Sequence, residues 1–316
     1  MNTIDRILSL EELRDDPPVL LDVGASGAMY PKWKRISKHS ICIAFDADRR
    51  EMPSAEQEQT SFKKFIVYNR VVTDQISPEI DFFLTTSPYC SSSLEPDAQS
   101  LQNWSFAHLF HVEKKVRLAA MRITDALQQS NLPRIDWFKS DSQGTDLRLF
   151  QSLPQDVKAQ VLQADFEPGI LEGYKGEDRL CDVLRHMQDE GFFMSSLEVK
   201  GTQRIRPAEL EVFTRFRKTL WPHGLRESPG WAEVTYLNPL TKGAFPRRAY
   251  LLTYLFALLE RQFGFAAEIA TTAHERFDDS FFLDLKQEAV TKIRASLWDL
   301  PRILAKRVGH KLLSYL

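Results

Sequence analysis

Two short apolar runs, Val19-Leu-Leu-Asp-Val23 and Ile41-Cys-Ile-Ala-Phe45, flank a glycine-bearing turn and a mixed segment. Neither run alternates with polar residues, as expected of central parallel strands covered on both faces. Comparable runs at 64–68, 135–140, 161–166 and 192–199 predict further strands, with helices expected at 30–38, 49–57, 146–151 and 176–189 between them. Strand and helix alternating over this length predict an α/β fold: an open, mostly parallel sheet with helices on both faces. Ligands of such a sheet belong at the carboxyl ends of its strands.

Elsewhere the pattern changes. A short amphipathic helix is expected at 4–14 and is stopped by Pro17-Pro18, since proline cannot continue a helix. Val71-Val-Thr73 and the run at 80–86, separated by a turn-like stretch, predict a β-hairpin insertion, and 116–123 predicts one more extended segment. The Ser- and Pro-rich stretch 89–96 reads as a loop. Past Pro246 the periodicity is helical, with segments expected at 249–263, 266–277 and 284–315. The organisation predicted is an N-terminal helix (1–18), an α/β domain (19–243) and a C-terminal helical extension (244–316).

Composition adds limits. The 316 residues are 43% hydrophobic, enough for a sizeable core, and the formal net charge of −2 gives no case for nucleic acid. Acids crowd the N-terminus, against a secretory signal, and the longest apolar run, 249–259, falls short of a bilayer span. Three scattered cysteines, Cys42, Cys90 and Cys181, fit a reducing compartment. A soluble, cytoplasmic protein is expected. Within residues 286–316, however, seven Lys or Arg stand against two acids. The apolar and basic positions at 297–316 suit a helix lying peripherally on an anionic inner-membrane surface, packed on the preceding helices, or packed on a second subunit of a homo-oligomer.

The candidate chemistry begins at Asp22-Val-Gly24-Ala25-Ser26-Gly27. Glycines there allow positive φ and a close approach of backbone to ligand, and an acid at the tip of the next strand, Asp46, can accept from vicinal ribose hydroxyls. Asp22 has the alternative of bonding the turn's own N–H groups, and Asp46 or Asp48 that of capping a following helix. A second strand ends on an acid at Lys139-Ser-Asp141-Ser-Gln-Gly144, and the loop carries Ser92-Ser-Leu-Glu-Pro96.

With these motifs in this order, the chain resembles the FkbM-type methyltransferases, a branch of the class I enzymes. The resemblance spans about residues 19–199, with a looser echo at Ser228-Pro-Gly-Trp231. It implies a Rossmann-like class I methyltransferase sheet, S-adenosyl-L-methionine as cofactor, and methyl transfer to an oxygen of a sugar, glycan or small natural product. The cofactor site it implies comprises Asp22, Gly24, Ala25, Ser26, Gly27, Asp46 and Asp141, with Ser92 in a lid. Asn69 and Arg70 stand where an adenine edge is expected. The chain departs from the family pattern in having Asp46-Ala47 for the usual Glu-Pro, and Ala28 for a glycine.

Three residues are candidates on the acceptor side. Asp141 would orient the acceptor, take its proton, or cap the helix that follows; Glu167 would serve as base or hydroxyl partner; and His108 is a candidate general base. His108 and His111 lack an acid cluster that would make a metal site, and none is assigned. Two other classes stay open: a dinucleotide-dependent oxidoreductase, for which the turn lacks a full Gly-x-Gly-x-x-Gly, and a non-catalytic scaffold keeping the fold.

Overall fold

The computed structural model describes residues 2–25, 29–47, 61–206, 208–209 and 224–299. Ser26, Gly27, Ala28, Asp48, the helix expected at 49–57 and the basic tail past 299 lie outside them. By packing, the chain divides into two compact units, 8–241 and a helical unit of 1–7 with 242–316. The division falls beside the boundary expected after Gly243, but it sends the two ends of the N-terminal segment to different units. That segment is two helices, Thr3–Leu8 and Glu11–Asp15, rather than one.

The larger unit is built on strands β1 (Val19–Val23), β2 (Ile41–Phe45), β3 (Lys64–Tyr68), β4 (Val71–Val72), β5 (Glu79–Thr85), β6 (Val112–Met121), β7 (Trp137–Ser140), β8 (Gln163–Phe166), β9 (Phe193–Thr202) and β10 (Ser228–Leu237). Seven form one sheet in the order β3-β2-β1-β7-β8-β10-β9. The first five run parallel, while β10 pairs antiparallel with both β8 and β9. The mostly parallel α/β sheet expected from the apolar runs is present. Chain direction across the sheet reverses at β1, which has β2 on one side and β7 on the other, and all five β1 residues are buried.

Sequence and structure part in several places, each for a local reason. Residues 30–38 do not make an α-helix. They form two 3-10 turns, Pro31–Arg35 and Ser37–His39. Three residues per turn brings Trp33 and Ile36 to one side, and both are fully buried. β4 and β5 are not a hairpin, because β6 lies between them, parallel to β4 and antiparallel to β5. β6 also starts before residue 116; its first half exposes Glu113, Lys114 and Lys115 in succession, and Lys115 reaches Asp81 across the pair at 2.8 Å. The helix expected from 176 begins only at Leu180 and runs to Glu190, where Gly191 closes it with φ 84°. β10 was not foreseen, since Ser228-Pro-Gly reads as a turn.

The sheet's core is aromatic. Phe138, Phe150 and Phe166 are buried, with ring centroids 5.2–5.7 Å apart. Trp33 and Trp137 meet edge to face at 5.9 Å, and the Trp137 indole N–H donates to Asp165, which also accepts from Thr235. In the helical unit, Arg247–Leu259, Phe263–Phe277 and Ser280–Ser296 are helices, tied by Tyr254 donating to the Leu285 carbonyl at 2.7 Å. Among the described residues no helix is long and apolar enough to cross a membrane.

Removing the central ring should be costly. Phe138→Ala is expected to destabilise the protein by about 3–5 kcal/mol, the range for a buried Phe lost from a packed core, read as a lower midpoint in urea unfolding.

Candidate functional site

The parallel ladder continues one residue past its strand ends, and this positions the candidate residues. The N–H groups of Gly24 and Ala25 both donate to the Phe45 carbonyl, at 3.1 and 3.0 Å. Asp46 N–H donates to Tyr68 O at 3.3 Å, and Asp141 N–H to Val23 O at 3.0 Å. Gly24, Asp46 and Asp141 therefore stand side by side beyond the carboxyl ends of β1, β2 and β7. Gly24 has φ +77°, and a Cβ on it would lie 2.2 Å from the Asp141 carbonyl oxygen. Only glycine fits there.

A crevice opens over these ends, the place where an open parallel sheet binds its ligands. Gly24, Asp46, Arg70, Ser91, Asp141 and Gln143 are among its lining residues. Its outer wall comes from the loop 88–93, which is pinned in place. Ser92 is fully buried, exchanges backbone hydrogen bonds with Phe83 of β5, and donates its hydroxyl to the Gln143 carbonyl at 2.7 Å.

Behind the crevice lies a dense set of acids. Asp146, 1% exposed, accepts from the hydroxyls of Ser140 and Ser142 and from the N–H groups of Ser142 and Glu167. Asp141 accepts from the Gln143 side-chain amide at 2.5 Å. Burial pushes the Asp141 carboxyl up to about 6 against the pull of Lys139, with Asp146 adding to the rise. Burial, followed by the charges of Asp141 and Asp146, pushes Glu167 up to about 9. Lys139 pairs with Asp22 at 2.8 Å; burial alone would lower it, but Asp22 and Asp141 hold it above its ordinary value.

Gln143 holds the least usual backbone here, with φ +58°. Its amide oxygen accepts from Tyr174 OH at 3.0 Å, and that hydroxyl also lies 2.9 Å from the Cys90 carbonyl. Gln143 thus forms a wall shared by the crevice and a second hollow, which Glu167, Glu177, Tyr174 and Trp231 help to line.

The structure sorts the sequence candidates. Gly24, Asp46 and Asp141 meet in the crevice, and Glu167 enters the adjoining hollow. Ser26 and Gly27 lie outside the described residues. Among the described residues Asp22 bonds Lys139 rather than the turn and does not line the crevice, because the register sets the two charges opposite each other. Ala25 turns its N–H to Phe45 and does not line the crevice. Asn69 is exposed and off the wall, where its neighbour Arg70 stands instead. Ser92 acts as an internal strut, and Ser91 and Ser93 line the crevice in its place. His108 is exposed, with Nδ1 3.2 Å from the Ser105 carbonyl, and it lines neither hollow; nothing here supports it as a base. Asp141 does not cap the next helix, Asp146–Gln151, whose N-cap position is Thr145 and which no side chain caps.

Sequence reading missed Gln143, Asp146, Tyr174 and Glu177. Gln143 and Asp146 had a signal, lying within or just after Lys139-Ser-Asp141-Ser-Gln-Gly144; Tyr174 and Glu177 had none, because a stretch read partly as helix is a bridged loop. Comparison with known protein families, with curated proteins and with solved structures returned no match for the chain.

The raised acids fix the sign of a pH effect. Glu167 is pushed up to about 9, so the folded state holds a proton that the unfolded state has released, and stability falls as pH rises from about 4.5 toward about 9. Glu167→Gln should remove that part of the slope. Thermal melts at about pH 5 and about pH 9 should show the variant gaining on the native protein at the higher pH; a difference unchanged by pH would contradict the assignment.

Proposed function

We propose that this chain is a methyltransferase of the FkbM type, using S-adenosylmethionine to methylate a hydroxyl of a sugar, glycan or small natural product. The observation that carries the reading is the meeting of Gly24 and Asp46 in one crevice beyond β1 and β2, beside Asp141. Glycine at position 24, where a Cβ would lie 2.2 Å from the Asp141 carbonyl oxygen, lets the tips of β1 and β7 close together at the crevice, and an acid at the tip of the second strand suits ribose hydroxyls. Those features fit an adenosine-bearing ligand. Asp46 would hold the ribose, the Gly24 backbone would lie along the ligand, and Arg70 and Ser91 would border it.

When bound, S-adenosylmethionine supplies a methyl group activated by positive sulfur. The protein's part is then to align the acceptor and exclude water. Asp141 faces the crevice and Glu167 the hollow next to it. Either acid, ionised, can take a hydroxyl proton at a carboxylate oxygen. Strand order also favours this reading over the dinucleotide one. A parallel dinucleotide sheet runs 3-2-1-4-5-6, whereas here the chain's last sheet strand, β10, inserts antiparallel inside the edge strand β9.

Calorimetric titration with S-adenosylmethionine, S-adenosylhomocysteine and a nicotinamide dinucleotide tests the proposal. Both adenosyl ligands should bind and the dinucleotide should not. Asp46→Ala should weaken adenosyl binding by roughly tenfold or more, as expected when hydroxyls lose a charged acceptor. No adenosyl binding by folded protein would leave a non-catalytic scaffold as the better reading.

A further inference from the structure

The hollow on the far side of Gln143 has a one-sided chemistry. Its walls are rings: Phe106 and Phe110 have centroids 5.1 Å apart, Trp231 lies 6.3 Å from Phe106, and Tyr174 lies 5.6 Å from Phe110. Among the described residues its charged lining groups are Glu167 and Glu177, without Lys, Arg or His. On the wall shared with the crevice, the Gln143 amide is engaged with Asp141, and the Tyr174 hydroxyl with Cys90 and Gln143. No described hydrogen bond reaches the Glu167 carboxylate, whereas Glu177 Oε1 accepts the Gly173 N–H at 2.8 Å and lies 3.9 Å from Arg179 Nε, so Glu167 is the carboxylate left to a ligand. Ring faces and carboxylate oxygens both attract a cation.

The hollow is a built feature of the fold. A Cβ on Gly169 would lie 2.6 Å from Glu177 Oε1, so glycine there lets the carboxylate approach. The register of β10 shifts between Pro229 and Trp231, and Gly230 between them accepts from the N–H groups of Ile170 and Leu171. A bulge of this kind re-aims the side chain beside it, here Trp231.

We propose that this hollow anchors a cationic amine, so that the acceptor is an amino sugar or a comparable amino alcohol. Its ammonium group sits among Glu167, Glu177 and the rings, and one of its hydroxyls reaches the donor crevice past Gln143. The anchor stands on its own geometry, while the role of acceptor rests on the methyltransferase reading. The surrounding charges agree. Around Glu167 stand Asp141, Asp146 and Glu233 against Lys139, and around Glu177 stand Glu172 and Arg179. Burial, the first cause in both, pushes Glu177 up to about 7 and Glu167 up to about 9. An arriving ammonium favours the ionised forms. The carboxylic O–H bond then breaks, its proton passes to buffer, and the carboxylate pairs with the cation.

The test is calorimetry on the full chain with glucosamine, glucose and N-acetylglucosamine, in two buffers of different ionisation heat, each with and without S-adenosylhomocysteine. Glucosamine should bind at least about tenfold more tightly than either neutral sugar and release protons, and Glu167→Gln should cost about tenfold or more with most of that release, as for loss of one partner of a desolvated charge pair. Trp231→Leu should weaken glucosamine as well, and a cooperative melt verifies that each variant is folded. Equal binding of glucose and glucosamine, or glucosamine binding untouched by Glu167→Gln, would overturn the anchor. Binding of S-adenosylhomocysteine with no binding of glucosamine would overturn the anchor alone. Glucosamine binding with proton release, but no binding of S-adenosylhomocysteine, would uphold the anchor and remove its role in methyl transfer.

Discussion

The contact between Gly24 and the Asp141 carbonyl sets the geometry of everything described above. The tips of β1 and β7 approach so closely that a Cβ at position 24 would lie 2.2 Å from that oxygen. The approach follows from the register, in which Val23 lies opposite Ser140 and the ladder carries on to Asp141 N–H. Because chain direction reverses at β1, no helix covers this junction from within the sheet order, and a crevice opens there. Gly24, Asp46 and Asp141, from three neighbouring strand ends, then face a common space.

Such an arrangement concentrates negative charge. Asp22, Asp141 and Glu167 gather around Lys139, with Asp146 beside the last two, and the fold handles them in different ways. Asp22 is neutralised by its ion pair. Asp146 is held by four hydrogen bonds from hydroxyl and N–H donors. Asp141 and Glu167 are left with raised affinity for protons, one facing each hollow. Acids kept partly protonated by burial are suited to holding or accepting a proton near neutral pH, and this joins the packing of the sheet to the chemistry proposed for it.

Much of this was legible in the sequence where backbone logic dominates. Apolar runs without polar alternation marked β1 and β2, and the residues beyond them, Gly24 and Asp46, landed where a parallel sheet puts its ligands. Legibility failed where partners are remote. Asp22 looked available to a ligand because its partner, Lys139, lies 117 residues away. Ser92 looked like a flexible lid until its hydroxyl was seen to hold the Gln143 carbonyl. The ring-lined hollow draws Phe106, Tyr174 and Trp231 from three separate segments, none patterned as a strand or helix around it. Only the loop between β8 and the helix Leu180–Glu190, fixed by bridges from Gly169 to Arg179 and Trp231, brings them together.

The most direct test of the central claim is a crystal structure of the protein with S-adenosylhomocysteine. The account predicts the ligand beyond the carboxyl ends of β1, β2 and β7, with its ribose hydroxyls on the Asp46 carboxylate, its backbone contact at Gly24, and its sulfur on the side of Asp141. A ligand bound elsewhere on the chain, with this crevice left empty, would contradict it.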